Sequence, residues 1–374
     1  ALAALGDGQI VVCCAGGSSG SLSLWSQANG LIRTVAVDGV PCGITRLPAC
    51  PEFGDRSVAV AVQGMAESGA MLPGVNDTRH RVELHAFGTD GARDRWNDGR
   101  DVEHLWPPGH DTTGLSFPNG LATYRMRGHH YLACADWNNN RVLLYPALHP
   151  AHPPGEAQQL RMLQGFSSSP TGAQHLLYLQ EERLMPSGFV FLPASGKPLT
   201  FDNSEFPLVT SRPADIVVLE GLADQQGSNT VWDPNGHWER LAFVDWAEGC
   251  VVVFRINHGV FGEHAVLWRS REVARLRRGW RSAVKLAQPS GLAWDPVRRS
   301  LLVAECGGMC ITIYDHCDPS PAGYHAEFKY VTSVCVEQLG TGVVLPTRSE
   351  WGWLGITITP EGDVYVADTD QSCL

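Results

Sequence analysis

Apolar and polar positions alternate in short runs along most of the chain, and Gly, Pro or Asn residues separate these runs. The run from Tyr131 to Ala135 ends on Asp136, and an Asn-rich turn then leads into the alternating run from Arg141 to Tyr145. Short runs with a period of two predict β-strands, and short spacers between them predict hairpins. No helix-period segment is long enough to compete, so the pattern predicts an all-β protein.

A Pro-x-Gly turn opens several of these units. Pro118–Gly120 precedes the strand that ends on Asp136, and Pro289–Gly291 precedes the run from Leu301 to Glu305. Pro41–Gly43 opens another unit in the same way. We expect Pro186–Gly188 to open the unit that contains the strand ending on Asp245.

Two further units complete the series, Gly355–Asp368 near the C-terminal end and Ile10–Trp25 near the N-terminal end, the latter without a Pro-x-Gly turn. Such self-similarity is the signature of a repeat architecture. A β-sandwich is the alternative fold, but it does not explain the recurring turn. The sequence therefore predicts one β-propeller over residues 1–374, with about six blades of four-stranded antiparallel sheets. Seven blades result if residues 186–254 form two of them.

These units resemble the NHL repeat, in which a Pro-x-Gly turn is followed by Tyr-Val-Ala-Asp, Asn, Arg and an alternating strand. Pro118–Tyr145 matches the repeat closely, and Gly355–Asp368 matches it through two strands. The resemblance implies that the opening turns and the ends of the second strands surround a central channel. The candidate binding residues at the channel mouth are therefore Cys42, Asn119, Ser187 and Ser290 in the opening turns, with Asp136, Asp245, Glu305 and Asp368 at the strand ends.

The four acids at the strand ends have two interpretations. They could bind a cation or act as general acids and bases at the channel mouth. Alternatively, each carboxylate accepts N–H groups of its own turn and pins the hairpin. Their recurrence from unit to unit favours the second interpretation, because a catalytic group need not repeat in every blade.

The resemblance extends to gluconolactonase and paraoxonase-like propellers, where Asn, Asp and Glu oxygens at comparable positions hold a central divalent metal. Ca²⁺ needs several such oxygens, and Asn119 is the only good match among the opening turns. We therefore expect no metal or other cofactor, with Ca²⁺ as the alternative. The predicted function is a non-enzymatic scaffold that binds a protein or peptide. A metal-dependent hydrolase or lactonase with a small-molecule substrate is the alternative.

Charge narrows the choice of partner. The formal net charge is −11, with 28 Lys and Arg against 39 Asp and Glu, which argues against nucleic acid because a phosphate backbone needs a basic face. The one basic run, Arg271–Lys285, could be a nucleic-acid or anionic-lipid patch, but we expect it to be a solvated inter-blade loop or short helix. No apolar run is long enough to span a membrane.

Long insertions between the units are where a propeller usually carries its recognition. These insertions are Gly64–Arg79, Thr89–Thr113, His149–Gln180 and Arg269–Gln288. Exposed aromatic residues are common interface anchors. The candidates in loop-like segments are Trp96, Trp106, Trp351 and Trp353. Burial between blades is the favoured alternative for them, because Trp is usually largely buried.

The chain has 11 cysteines, and one group of them contains zinc-ligand types. This group is Cys306, Cys310, His316 and Cys317, with Cys335 further on. A strand-like run over residues 311–314 would separate its two halves. Structural zinc, a disulfide (Cys306–Cys310 or Cys310–Cys317) and free thiols all remain open. We favour free thiols, which would suit a reducing, intracellular compartment.

Overall fold

The computed structural model contains strands and turns, and no helix occurs in the residues that it describes. These residues are 1–6, 8–16, 19–26, 28–47, 56–64, 80–87, 117–126, 129–137, 141–146, 189–191, 212–222, 239–261, 265–279, 284–317, 328–335 and 354–368. No membrane-spanning helix is found among them. The chain divides into two compact units. Unit 1 comprises Ala1–Leu192 and His258–Trp268, and unit 2 comprises Pro193–Asn257 and Arg269–Leu374.

Unit 1 contains three antiparallel sheets in which each strand pairs with its neighbour along the chain. The first sheet consists of β1 (Leu2–Gly6), β2 (Gln9–Gly16), β3 (Ser19–Ser26) and β4 (Gly30–Val37). The second consists of β5 (Val40–Arg46), β6 (Ser57–Gln63) and β7 (Arg81–Ala86). The third consists of β8 (Pro118–Met126), β9 (His129–Asp136), β10 (Arg141–Pro146) and β11 (Phe189–Phe191).

Unit 2 repeats this plan. Its first sheet consists of β12 (Pro213–Val218), β13 (Glu239–Asp245), β14 (Cys250–Phe261) and β15 (Ala265–Leu276), although the end of β14 and the start of β15, within His258–Trp268, are counted in unit 1. The second consists of β16 (Pro289–Asp295), β17 (Ser300–Glu305), β18 (Cys310–His316) and β19 (Phe328–Cys335). The third consists of β20 (Leu354–Ile358) and β21 (Val364–Asp368).

The core lies between successive sheets within each unit. In unit 1, β5 packs against β1, β2 and β3, and β8 packs against β5 and β6; in unit 2, β16 packs against β12 and β13, and β20 packs against β16 and β17. The strands β6, β16 and β17 are buried along their whole length. The outer strand β4 is instead mostly exposed, and within it only Val35 and Val37 are buried.

The described strands thus form six antiparallel sheets, four of them four-stranded, and the predicted all-β propeller is confirmed. The predicted count of about six blades agrees with these six sheets. The sequence pattern located the second and third strands well, including β6, β9, β13 and β17. It missed outer strands such as β4 and β19, where apolar residues are sparse because much of the strand faces solvent. That residues 1–374 form a single domain stays a prediction.

The predicted opening turn at Pro186–Gly188 is wrong. Phe189–Phe191, directly after it, forms β11 and pairs with β10, so it completes the preceding blade. The blade that contains Asp245 begins instead at Pro213, which pairs with Asp245. The sequence there has Asp215 where the other turns have glycine, and this departure hid the turn from the Pro-x-Gly pattern.

The basic run Arg271–Lys285 also has a different structure from the predicted solvated loop or short helix. Residues up to Leu276 belong to β15, and Arg278 forms an isolated bridge with Val284, so the segment is neither a loop throughout nor a helix. Its cations lie beside acids: Arg277 and Lys285 are 3.7 and 3.8 Å from the Glu248 carboxylate. Of the other three predicted insertions the structure describes only Gly64. The four candidate tryptophans lie outside the described residues.

Candidate functional site

The four acids predicted at the strand ends occupy one equivalent position in successive blades. Each of them pairs with the residue that opens the first strand of its own sheet. The pairs are Asp136 with Pro118, Asp245 with Pro213, Glu305 with Pro289, and Asp368 with Leu354. In the blade of β5 and β6 the equivalent partner of Pro41 is Val62, which is apolar. The predicted equivalence of these acids is therefore confirmed, whereas their binding role stays a prediction.

Glu305 is held by several hydrogen bonds. It is fully buried, and its Oε2 accepts hydrogen bonds from Arg278 Nη2 at 2.7 Å and from the Ala287 backbone N–H at 2.6 Å. Its Oε1 accepts a hydrogen bond from the Thr312 hydroxyl. Cation, backbone and hydroxyl together fix this carboxylate within its blade, which is the behaviour of a structural pin.

Asp245 behaves similarly. It is fully buried, and its Oδ1 accepts the Glu248 backbone N–H at 3.0 Å, which holds the turn between β13 and β14. Asp136 is fully buried at the end of β9. Asp368 is the last residue of β21, and its side chain lies outside the described part of the chain.

The opening-turn residues lie in β-bulges, which re-aim side chains at the start of a strand. The register shifts at Pro41/Gly43, Pro118/Leu121 and Pro289/Gly291 place Cys42, Asn119 and Ser290 in these bulges. Ser187, the fourth candidate, lies outside the described residues.

The three described candidates have different surroundings. Asn119 is half-buried. Cys42 is also half-buried; its thiol donates to the Val40 carbonyl at 3.3 Å, and desolvation raises the pKa of this thiol to about 12. Ser290 is buried, and its hydroxyl donates to the Leu354 carbonyl at 2.8 Å. Ser290 therefore connects two first strands, β16 and β20.

The cysteine group does not converge. Cys310 begins β18 and His316 ends it, so the two are about 20 Å apart along an extended strand. His316 contacts Arg299 and Phe328 at that far end, whereas Cys306 donates to Ser290 Oγ. In the described part of the chain no three His, Cys, Asp or Glu residues gather as a metal site.

None of the cysteines within the described ranges forms a disulfide. They are Cys13, Cys14, Cys42, Cys134, Cys250, Cys306, Cys310, Cys317 and Cys335. Neither of the two disulfides that the sequence left open, Cys306–Cys310 and Cys310–Cys317, is formed.

Asp215 is the ionisable residue that the sequence did not identify. The β12 register places it where β16 has Gly291, because Pro213 matches Pro289 and Ile216 matches Leu292. Its Oδ1 accepts the Ile216 N–H at 2.9 Å, and its Oδ2 accepts the Leu292 N–H of the next blade at 2.8 Å. Desolvation raises the pKa of the carboxyl to about 7, and the two N–H groups oppose that rise. A search for Pro-x-Gly turns that tolerated a short acid would have found it.

No model of a known protein family matches the chain, and no curated protein matches it. Solved structures with a similar fold include a candidate 6-phosphogluconolactonase from Bacteroides uniformis, at 15% identity and a TM-score of 0.41 over 98% of this chain and 76% of that one. Hydrazine synthase from Kuenenia stuttgartiensis has 14% identity and a TM-score of 0.44 over 100% and 81%. The periplasmic gluconolactonase of Pseudomonas aeruginosa has 13% identity and a TM-score of 0.40 over 87% and 67%. Similarity at this level identifies no activity.

Proposed function

We propose that the protein is a non-enzymatic β-propeller that serves as a scaffold for binding a protein or peptide. The observation that carries the proposal is the state of the Glu305 carboxylate, which is fully buried and accepts hydrogen bonds from Arg278, the Ala287 backbone and Thr312. A carboxylate held in this way has neither the solvent access nor the free lone pairs that metal binding or proton transfer requires.

The other acids at this position support the same conclusion. Asp136 and Asp245 are also fully buried, so neither carboxylate has the solvent access that a hydrolase would use. Asn119 is half-buried and is a single neutral ligand, whereas Ca²⁺ usually takes about six to eight oxygens.

A surface suited to a peptide lies at the outer edge of the first blade. β4 is the last strand of its sheet, and Leu31 and Ile32 on it are 52% and 45% exposed. An outer strand offers backbone N–H and C=O groups to an added strand, and apolar side chains on it supply contact area. We therefore propose an extended peptide as the partner class and β4 as its site.

Selection of a displayed peptide library against the purified protein tests this proposal. We expect the selected peptides to lose at least tenfold in affinity for the Leu31→Glu/Ile32→Glu double variant. They should bind the Val297→Glu variant as they bind the original protein, since Val297 is 82% exposed but lies in the turn between β16 and β17. Equal binding to both variants would remove β4 as the site.

Metal tests the hydrolase alternative directly. Thermal unfolding is measured with chelator and then with millimolar Ca²⁺, Mg²⁺ or Zn²⁺, alongside hydrolysis of simple aldonolactones. We expect no change in Tm and no hydrolysis. A bound ion would stabilise the fold by about 2.7 kcal/mol at a hundred times its Kd. The hydrolase function would replace the scaffold function if Ca²⁺ raised the Tm, Asn119→Ala abolished that rise, and the protein hydrolysed lactones.

A further inference from the structure

Two cysteines lie directly opposite each other on the neighbouring strands β18 and β19. Cys310 begins β18, Cys335 ends β19, and the antiparallel register pairs them. Cys306 and Cys317 are closer to Cys310 in the sequence. The sheet nevertheless aligns Cys310 with Cys335, which lies 25 residues further along the chain.

The neighbouring pair shows that side chains on this face meet across the two strands. Thr312 and Ser333, two residues further along each strand, are also register partners, and their hydroxyl oxygens are 2.8 Å apart. Residues two apart on a strand project to the same face. Directly opposed residues have Cα atoms about 4.5–5.5 Å apart, within the range of about 4.4–6.8 Å that a disulfide spans.

The two thiols differ in their surroundings. Cys335 is exposed, whereas Cys310 is buried and its Sγ lies 3.1 Å from Arg278 Nη2. The Glu305 carboxylate is also near, at 3.7 Å. Desolvation and Glu305 raise the pKa of the Cys310 thiol, and Arg278 opposes them. Cys335 is thus the thiol that reacts first with a reagent from solution, and Cys310 is positioned to react second.

We propose that Cys310 and Cys335 form a reversible redox site, which a low-molecular-weight disulfide converts to a cross-strand disulfide. The Cys335 thiolate attacks the reagent, forms a mixed disulfide and releases one reagent thiolate. The Cys310 thiol then loses its proton to solvent and attacks the Cys335 sulfur, which releases the second reagent thiolate. The protein loses two electrons and two protons, and the reagent disulfide is reduced to two thiols.

The other cysteines of this group do not compete for Cys335. Cys306 lies in the turn after β17, where its Sγ donates to Ser290 Oγ, and Cys317 follows the far end of β18. The bond would tie the outer strand β19 to the buried strand β18. Because a cross-link restricts the unfolded chain, the oxidised protein should be the more stable form.

The test treats the native, reduced protein with excess oxidised glutathione, blocks the remaining thiols and maps the digested protein without reduction. We expect a peptide pair that joins Cys310 to Cys335, a loss of two of the 11 titratable thiols, and a Tm a few degrees higher that dithiothreitol reverses. Cys317→Ser, at the other end of β18, should give the same result.

Cys335→Ser should abolish the cross-link and the rise in Tm while leaving the Tm of the reduced protein unchanged, since this side chain is exposed. A stable mixed disulfide on Cys335 in the original protein, or a bond from Cys335 to any other cysteine, would overturn the proposal. Phenylarsine oxide, which bridges two close thiols, provides an independent measurement. It should protect Cys310 and Cys335 together from alkylation, and protection of neither would also overturn the proposal.

Discussion

Two junctions between successive blades use the same backbone position in opposite ways. Where β5 meets β8 in unit 1, that position is Gly43, and a Cβ there would collide with the Asn119 carbonyl oxygen of the next first strand. Where β12 meets β16 in unit 2, the position is Asp215, whose carboxylate accepts the Leu292 N–H of the next first strand. The junction of β16 and β20 follows the glycine pattern, with Gly291 against the Leu354 carbonyl.

The comparison teaches why the Pro-x-Gly turn recurs. Glycine is required where the backbone of the next blade approaches closely, and its conformational freedom is secondary at Gly43 and Gly291, since neither has a positive φ. A short acid is an alternative to glycine at this position, because its carboxylate can accept a hydrogen bond from the backbone of the next first strand, as Asp215 does from Leu292. That alternative introduces a titratable group, so of these three junctions we expect the stability of the Asp215 junction to depend on pH.

The largest expected effect is at the glycine junction of unit 1. Gly43→Ala should lower the free energy of unfolding by more than about 3 kcal/mol, because the obstacle is backbone of the next blade and cannot rotate away. Gly291→Ala should lower it by about 2 kcal/mol, since the added Cβ would lie 2.7 Å from the Leu354 oxygen. Denaturant unfolding measures both.

Gly221→Ala is the matched control for these substitutions. Gly221 has a φ of 80° and no neighbouring atom within 4 Å of the added Cβ, so backbone strain alone should cost about 1 kcal/mol. If Gly43→Ala cost no more than Gly221→Ala, close approach between blades would not explain the motif.

The next effect is the pH dependence of the Asp215 junction. The folded-state pKa of about 7 lies above the ordinary value of 3.8, so the folded protein binds this proton more tightly than the unfolded chain. The contribution to stability is therefore full below about pH 4, declines as pH rises and is lost above about pH 7. Between pH 5 and pH 8 the loss should be about 2 kcal/mol.

Asp215→Asn isolates this contribution, because the amide has a similar shape and does not titrate. As pH rises from 5 to 8, the unfolding free energy of the original protein should fall relative to that of the variant. A difference that stays constant over this range would show that the Asp215 carboxylate is solvated and not buried at the junction.

Glu305 sharpens the contrast, because it is a buried carboxylate with a cation beside it. Glu305→Gln should lower the free energy of unfolding by about 2 kcal/mol, since the amide cannot accept hydrogen bonds at both of its ends and loses the charge-assisted bond to Arg278.

The smallest effect on the free energy of unfolding is expected for Glu248→Gln, below about 1 kcal/mol, because the ion pairs of Glu248 with Arg277 and Lys285 are long and partly exposed. Equal costs for the two would contradict the role of Glu305 as a structural pin.

Much of the fold followed from the sequence because inner strands combine a strong apolar signal with turn residues. β9 and β17 were predicted from runs that end on Asp136 and Glu305, and the register confirmed that these acids are equivalent. The outer strands were not predicted, since β4 and β19 bury few side chains and their pairing depends on the strand beside them.

The sequence by itself determined the all-β class, the blade-sized repeat and the positions of the four acids at second-strand ends, because period, turn chemistry and recurrence are local properties. Only the tertiary structure decided what those acids contact, that Asp215 replaces a glycine, and that Cys310 faces Cys335 instead of Cys306 or Cys317. These outcomes depend on which strands lie side by side. Residues far apart in the chain meet through sheet register, and spacing along the sequence does not encode that register.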